Sequence, residues 1–265
     1  MFASPWIAAF IAVLAWWLST GVILVLVRRA DARGAHLWLV LGTLPLLAFG
    51  VAGIYASLES TSTAMVYLAF ASALAIWGWV ELAFLAGIIT GPNRMPLRPG
   101  VAEWERFVRA WGTVAYHEIV LTLALIGLVI ATNGAENSFG LWTFVVLYGA
   151  RISAKLNLYL GVRKVNTEFI PRPLTHLPSH FREARLNWLF PTSVTVLSFA
   201  VACLLERAVL ADAAAFAVGF ALLAALTALA LLEHWFMVVR LPDEKLWRWM
   251  LPEDDTREEG RHAVR

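Results

Sequence analysis

Residues 110–130, AWGTVAYHEIVLTLALIGLVI, form an apolar run that carries His117 and Glu118 side by side. About 20 apolar residues at 1.5 Å each carry a helix across a bilayer's hydrocarbon, so this stretch reads as a transmembrane helix. Nothing about crossing lipid requires an imidazole or a carboxylate. At that depth such a group costs on the order of 2.5–3.5 kcal/mol on insertion scales, so it faces a partner, a cavity or a ligand.

The rest of the chain has the same character. Hydrophobic residues make up 60% of it and charged residues 15%, with a mean hydropathy of +0.70. A soluble domain carries roughly 25% charge, so the composition excludes that class. Six more apolar runs flank the opening one: Pro5 to Val27, His36 to about Leu58, Ala64 to Thr90, Phe139 to Val162, Asn187 to Leu205 and Ala213 to Val239. The expected fold is therefore all-α, a polytopic bundle of seven transmembrane helices over residues 1–242. Residues 243–265 read as an interfacial segment with Trp247 and Trp249, followed by a polar tail that includes His262. Met1 to Pro5 lack a basic residue and the run after them is too long for a cleaved signal core, so the first helix is expected to be retained.

Charge encodes topology. Arg28, Arg29 and Arg33 follow the first run, Arg94 to Arg109 the third, Arg163 and Lys164 the fifth, and Arg240 the seventh; the opposite turns hold only Arg207. The positive-inside rule then places the N-terminus outside and the C-terminus in the cytoplasm. Basic residues in loops, rather than on one face, give no reason to expect a nucleic-acid partner. Membrane lipids are the partner that composition implies. The single cysteine, Cys203, excludes an intrachain disulfide and a multi-cysteine zinc site.

Counting inward from the basic ends puts Glu81 at about 15 Å depth, His117 and Glu118 at about 12 Å, Arg151 at about 18 Å, and Glu233 and His234 at about 10 Å. Lys155 and Asn157 fall in the same layer. Each has a structural reading: Lys155 snorkels to the interface, Asn157 bonds between helices, and Glu81 pairs with Arg151. Each also has a ligand reading. Glu81, His117, Glu118, Glu233 and His234 form a candidate metal set, either for iron or, through a histidine, for the magnesium of a chlorin. Tyr148, Arg151, Lys155 and Tyr159 recur at spacings of three and four and form a polar stripe for an anionic group.

Familiar metal patterns fit imperfectly. Three positions after Glu81, Glu118 and Glu233 stand Phe84, Leu121 and Phe236, where a ferritin-like site needs histidine. His176 and His180 have ligand-like spacing, but Pro178 between them disfavours a helix. They, and His36, read as interfacial. Proline at 171, 173 and 178 argues against a continuous helix over 165–185. No inverted repeat supports a transporter.

Several segments resemble a known family. They are Phe2–Asp31 (FASPWIAAFIAVLAWWLSTGVILVLVRRAD), Trp77–Pro92 (WGWVELAFLAGIITGP) and Trp104–Ile119 (WERFVRAWGTVAYHEI), then GARISAKLNLYLGV from Gly149, EFIP from Glu168 and LTHLPSHF from Leu174. Together they are similar to the photosynthetic complex assembly protein 2 family of purple and related phototrophic bacteria. Arg151 to Val162 is the most specific part, and the tail after Leu251 lies outside the likeness. The resemblance implies an integral protein of the bacterial cytoplasmic or intracytoplasmic photosynthetic membrane. It further implies a role in assembling the reaction centre and light-harvesting complex and in bacteriochlorophyll supply. Partners would be the subunits of those complexes or pigment-synthesis enzymes. It carries over no catalytic residues. A bacteriochlorophyll or related magnesium tetrapyrrole at His117, Glu118, Glu233, His234, Tyr148, Arg151, Lys155 and Asn157 is the first expectation. An iron enzyme acting on a lipid-soluble pigment or quinone is the alternative.

Overall fold

The structure, a computed structural model, describes residues 2–165, 167 and 170–239. The expected interfacial segment and polar tail, the boundary at 242, and Glu168 and Phe169 of the family likeness lie outside the described residues. The described chain is helical, in the order α1 (Pro5–Arg33), α2 (His36–Gly42), α3 (Leu44–Ser57), α4 (Thr63–Leu85), α5 (Glu103–Ala131), α6 (Phe139–Leu160), α7 (Leu189–Val209) and α8 (Ala214–Phe236). Its only extended pairing among the described residues is an isolated bridge between Val162 and Glu183.

Six segments among the described residues are long and apolar enough to cross a membrane: α1, α2 with α3 (His36–Ser57), α4, α5, α7 and α8. The sequence reading expects seven. The difference is α6, which has 22 residues but carries Arg151, Lys155 and Asn157 in its second half.

Helix ends depart from the hydropathy pattern where backbone chemistry intervenes. α1 runs through its arginines to Arg33, because arginine is a good helix former, and stops at left-handed Gly34 (φ 65°). The second run breaks between Gly42 and Leu44. Pro45 has no N–H to extend the ladder, and the Thr43 hydroxyl caps α2 by donating to the Leu39 and Val40 carbonyls at 2.9 and 3.1 Å. α4 ends at Leu85 rather than Thr90, with Gly87 at φ 74°. Residues after it turn beside α5, where Asn93 N donates to Gly112 O (3.0 Å), Asn93 Nδ2 to Arg109 O (2.9 Å) and His117 N to Thr90 O (3.1 Å). A Cβ at Gly91 would overlap the Gly112 carbonyl, so this seam needs glycine.

α4 is the hub, touching α1, α3, α5, α6 and α8. Lipid tails are as apolar as the helices, so association here rests on close packing rather than on water exclusion. Small residues permit it: Gly50 and Gly53 of α3 face Ser72 and Ile76 of α4, and Gly140 of α6 faces Ala69. Ala8, Ala12, Val66, Phe70, Phe139, Val218 and Leu222 join α1, α4, α6 and α8 in one buried cluster. α7 packs chiefly on α8 and leaves a groove toward α6 of about 980 Å³.

Candidate functional site

Glu81 of α4, His117 and Glu118 of α5, and Arg151 and Lys155 of α6 meet in one network. Arg151 donates to Glu81 Oε2 at 2.9 Å, and Lys155 is paired with Glu118. His117, fully buried, lies between the two pairs. Its Nδ1 is 3.1 Å from Lys155 Nζ and 3.3 Å from Glu118 Oε1, and its Nε2 is 3.5 Å from Glu81 Oε1. An ammonium can only donate, so Nδ1 accepts from Lys155 and the ring hydrogen sits on Nε2, toward Glu81. Phe84 covers the ring with centroids 4.5 Å apart. Local sequence makes this possible: Arg151 and Lys155 stand one turn apart on α6, and the adjacent His117 and Glu118 diverge just enough to straddle Lys155.

The remaining candidates go elsewhere. His234 is buried, its Nδ1 2.8 Å from Ala230 O and its Nε2 2.8 Å from Ser153 Oγ. The carbonyl fixes the tautomer, so Nδ1–H donates to it and Nε2 accepts from Ser153. Ser193 Oγ is 2.9 Å from Ser153 and accepts from Asn157 Nδ2 at 3.1 Å. Asn187 in turn donates to Asn157 Oδ1 at 3.1 Å and caps α7 by accepting from the backbone of Leu189 and Phe190. This second network fastens α6, α7 and α8. Tyr148 bonds Thr122 at 2.9 Å and joins neither charged group. Glu233, next to His234, turns the other way and faces a chamber of about 250 Å³ together with Glu81 and Arg151.

The sequence-based metal set is thus divided. Among the described residues no three His, Cys, Asp or Glu side chains are placed to hold a metal ion. The physical reason is plain: Arg151 and Lys155 occupy the near oxygens of Glu81 and Glu118, and the two nitrogens of His117 face opposite ways. As folded, these residues do not fit an iron site. Nor do they fit axial ligation of magnesium, since His117 is enclosed and His234 Nε2 is taken by Ser153.

Sequence reasoning missed Phe84, Ser153, Ser193, Asn187 and Arg106. Serine and asparagine in apolar runs are too common to stand out. Arg106 looked like one more topological charge, yet it is 7% exposed, donates to Tyr159 O at 2.6 Å and to His180 O at 3.4 Å, and lies 4.1 Å from the Tyr159 ring centre. It anchors the 170–182 loop, which has two short 3-10 turns, Arg172–Leu174 and Leu177–His180, rather than a helix.

That loop also corrects the interfacial reading of its histidines. His176 and His180 are buried, 6% and 3% exposed, because Leu174 and Leu177 draw the loop against Phe84. Burial lowers both pKa values, helped at His176 by His180 and Arg94; at His180 the bond to Met95 O opposes it while Arg106 and Arg109 add to it. A depressed histidine pKa stabilises the folded loop above the unfolded value of about 6.5 and loses that stabilisation as pH falls below it. Limited proteolysis within residues 163–188 is therefore expected to speed up at pH 5 relative to pH 8. His180→Gln should flatten that dependence; equal rates for the unaltered protein at both pH values would contradict it.

Comparison with known proteins places these features in a family. A family model described as "Protein of unknown function (DUF3623)" matches residues 2–258. A Rhodobacter capsulatus protein named "Uncharacterized 30.4 kDa protein in puhA 5'region" is 53% identical over 251 residues, covering 94% of this chain and 92% of that protein. No solved structure matches the chain.

Proposed function

The chain belongs to the DUF3623 family, and from that premise we propose that it is a multi-pass membrane factor for assembling photosynthetic complexes and supplying their bacteriochlorophyll. The observation that carries this reading is the 53% identical relative in the puhA region, a photosynthesis gene region, aligned over nearly the whole chain. The fold agrees in kind. α6, at 22 residues, reaches about 33 Å and serves as a seventh crossing, its charges satisfied inside the bundle. The basic segments after α1, α4 and α6 then lie in the cytoplasm, and the membrane is the bacterial cytoplasmic or intracytoplasmic photosynthetic one.

In this reading the charged layer is the working part. Intramembrane charges are retained where they serve a ligand or a partner. Glu81 holds one end of the Arg151 guanidinium, and Arg151 lines both the 250 Å³ chamber and a second cavity of about 210 Å³ with Lys155, Trp111, Tyr159 and His180. A pigment or late precursor is held by polar groups on its ring edge, with its apolar body toward lipid. No step is assigned to magnesium: His117 is enclosed between the two ion pairs and His234 Nε2 is taken by Ser153. Reaction-centre and light-harvesting subunits, or pigment-synthesis enzymes, are the partners of such a factor.

The test is genetic. Deleting the corresponding gene in a phototrophic bacterium should lower the near-infrared bands of reaction-centre and light-harvesting complexes per unit of membrane. This chain should restore them, and its Glu81→Gln/Arg151→Met double variant should not. Unchanged bands in the deletion strain would refute the reading.

A further inference from the structure

The charged layer does not balance. Arg151 answers Glu81 and Lys155 answers Glu118, which leaves Glu233 with no hydrogen bond or ion pair among the described residues. It stands open to the 250 Å³ chamber, as do Glu81 and Arg151. Arg151 Nε is buried without a hydrogen-bond partner, while Glu81 Oε1 is met only by His117 Nε2 at 3.5 Å. Unpaired polar groups at membrane depth cost several kcal/mol each in hydrocarbon, so Glu233 and Arg151 Nε, on two residues that line one space, mark a place where something is bound.

The walls narrow the chemistry. α1 contributes Trp16, Ile23 and Leu24 with the hydroxyls of Ser19 and Thr20, and α4 contributes Trp77 and Gly78, so the chamber is largely apolar and aromatic between that hydroxyl-bearing wall and its charged end. It is smaller than the roughly 300–1,000 Å³ of pockets for drug-sized ligands, which admits one substituted ring and excludes a whole macrocycle. Glu81 neutralises Arg151, and a carboxyl left without a cation at membrane depth takes its uncharged form, so this end of the chamber draws no ion. What suits a guanidinium N–H and a carboxyl O–H is an acceptor oxygen without charge.

We infer that this chamber binds a carbonyl-bearing ring of a lipid-soluble molecule, with Arg151 and Glu233 as donors to the oxygen and Trp16 and Trp77 flanking the ring. A quinone headgroup and a carbonyl-bearing edge ring of a pigment share this chemistry. The inference stands apart from the assembly role, since a quinone site would exist whether or not the chain handles pigment.

The test uses the full chain in detergent, incubated with decylubiquinone or with bacteriopheophytin, then gel-filtered and extracted. One of the two should remain bound stoichiometrically, and which one identifies the source of the ring. Saturable quenching of tryptophan fluorescence should accompany binding and shrink in Trp16→Phe/Trp77→Phe. Glu233→Gln keeps a neutral donor and should bind within about threefold of the unaltered protein, whereas Glu233→Leu should bind about tenfold more weakly. Gly78→Leu extends an apolar side chain from the chamber wall without removing a polar group; a Cβ there meets only Ile23 Cδ1, at 3.6 Å, so the backbone has room for it. It too should weaken binding at least about tenfold, with an unchanged thermal transition as proof of folding. Failure of both probes to bind would overturn the inference, as would binding indifferent to Gly78→Leu or a loss in Glu233→Gln equal to that in Glu233→Leu.

Discussion

Lys155→Met is expected to destabilise the detergent-solubilised protein by about 3 kcal/mol, the cost of breaking a buried ion pair by removing one partner. Lys155 serves two acceptors: it is paired with Glu118, whose side chain is 11% exposed, and donates to His117 Nδ1 at 3.1 Å. Its removal strands a carboxylate and an imidazole nitrogen together in a low-dielectric layer. Changing both members of the pair, Lys155→Met with Glu118→Gln, removes the stranded charge and should recover most of the loss. Unfolding followed by thermal or denaturant titration in one detergent decides it. A single variant as stable as the unaltered protein would mean that water reaches this layer and screens the pair.

Gly50→Leu is the second large effect, about 2–3 kcal/mol in the same assay, with lateral displacement of α3. A Cβ at Gly50 would lie 2.7 Å from Ile76 Cγ1 and 2.9 Å from the Ser72 carbonyl oxygen. Backbone cannot yield as a side-chain tip can, so the helices must separate, and in lipid close packing is most of what holds them. Gly42→Leu is the control, because a Cβ there meets nothing within 4 Å. If both substitutions cost the same, the loss comes from helix propensity or lipid contact and not from the α3–α4 seam.

These two positions show how differently the molecule's features register in its sequence. Glu118 and Lys155 are conspicuous in apolar runs, and counting residues from the basic ends brought Glu81, His117, Glu118, Arg151 and Lys155 to one level, where the structure joins them. Gly50 is not conspicuous, because a glycine in a membrane helix looks the same whether it faces lipid or a neighbouring backbone. His234 illustrates the converse. Its depth matched that of His117, but depth along a helix does not set direction around it, and Ala230 and Ser153 consume both of its nitrogens. The early end of α4 at Leu85, before left-handed Gly87, and the break at Pro45 required backbone geometry that hydropathy does not encode.

By itself, then, the sequence determined an all-helical membrane chain, the approximate place of its apolar runs, and which side chains are too costly to be idle in lipid. Those follow from transfer free energies, which depend on residue type and run length. Only the tertiary structure decided which costly groups answer one another and which, like Glu233, are left facing open space. Partnership depends on the rotation and spacing of helices about their axes, and that is set by packing between residues far apart in the chain.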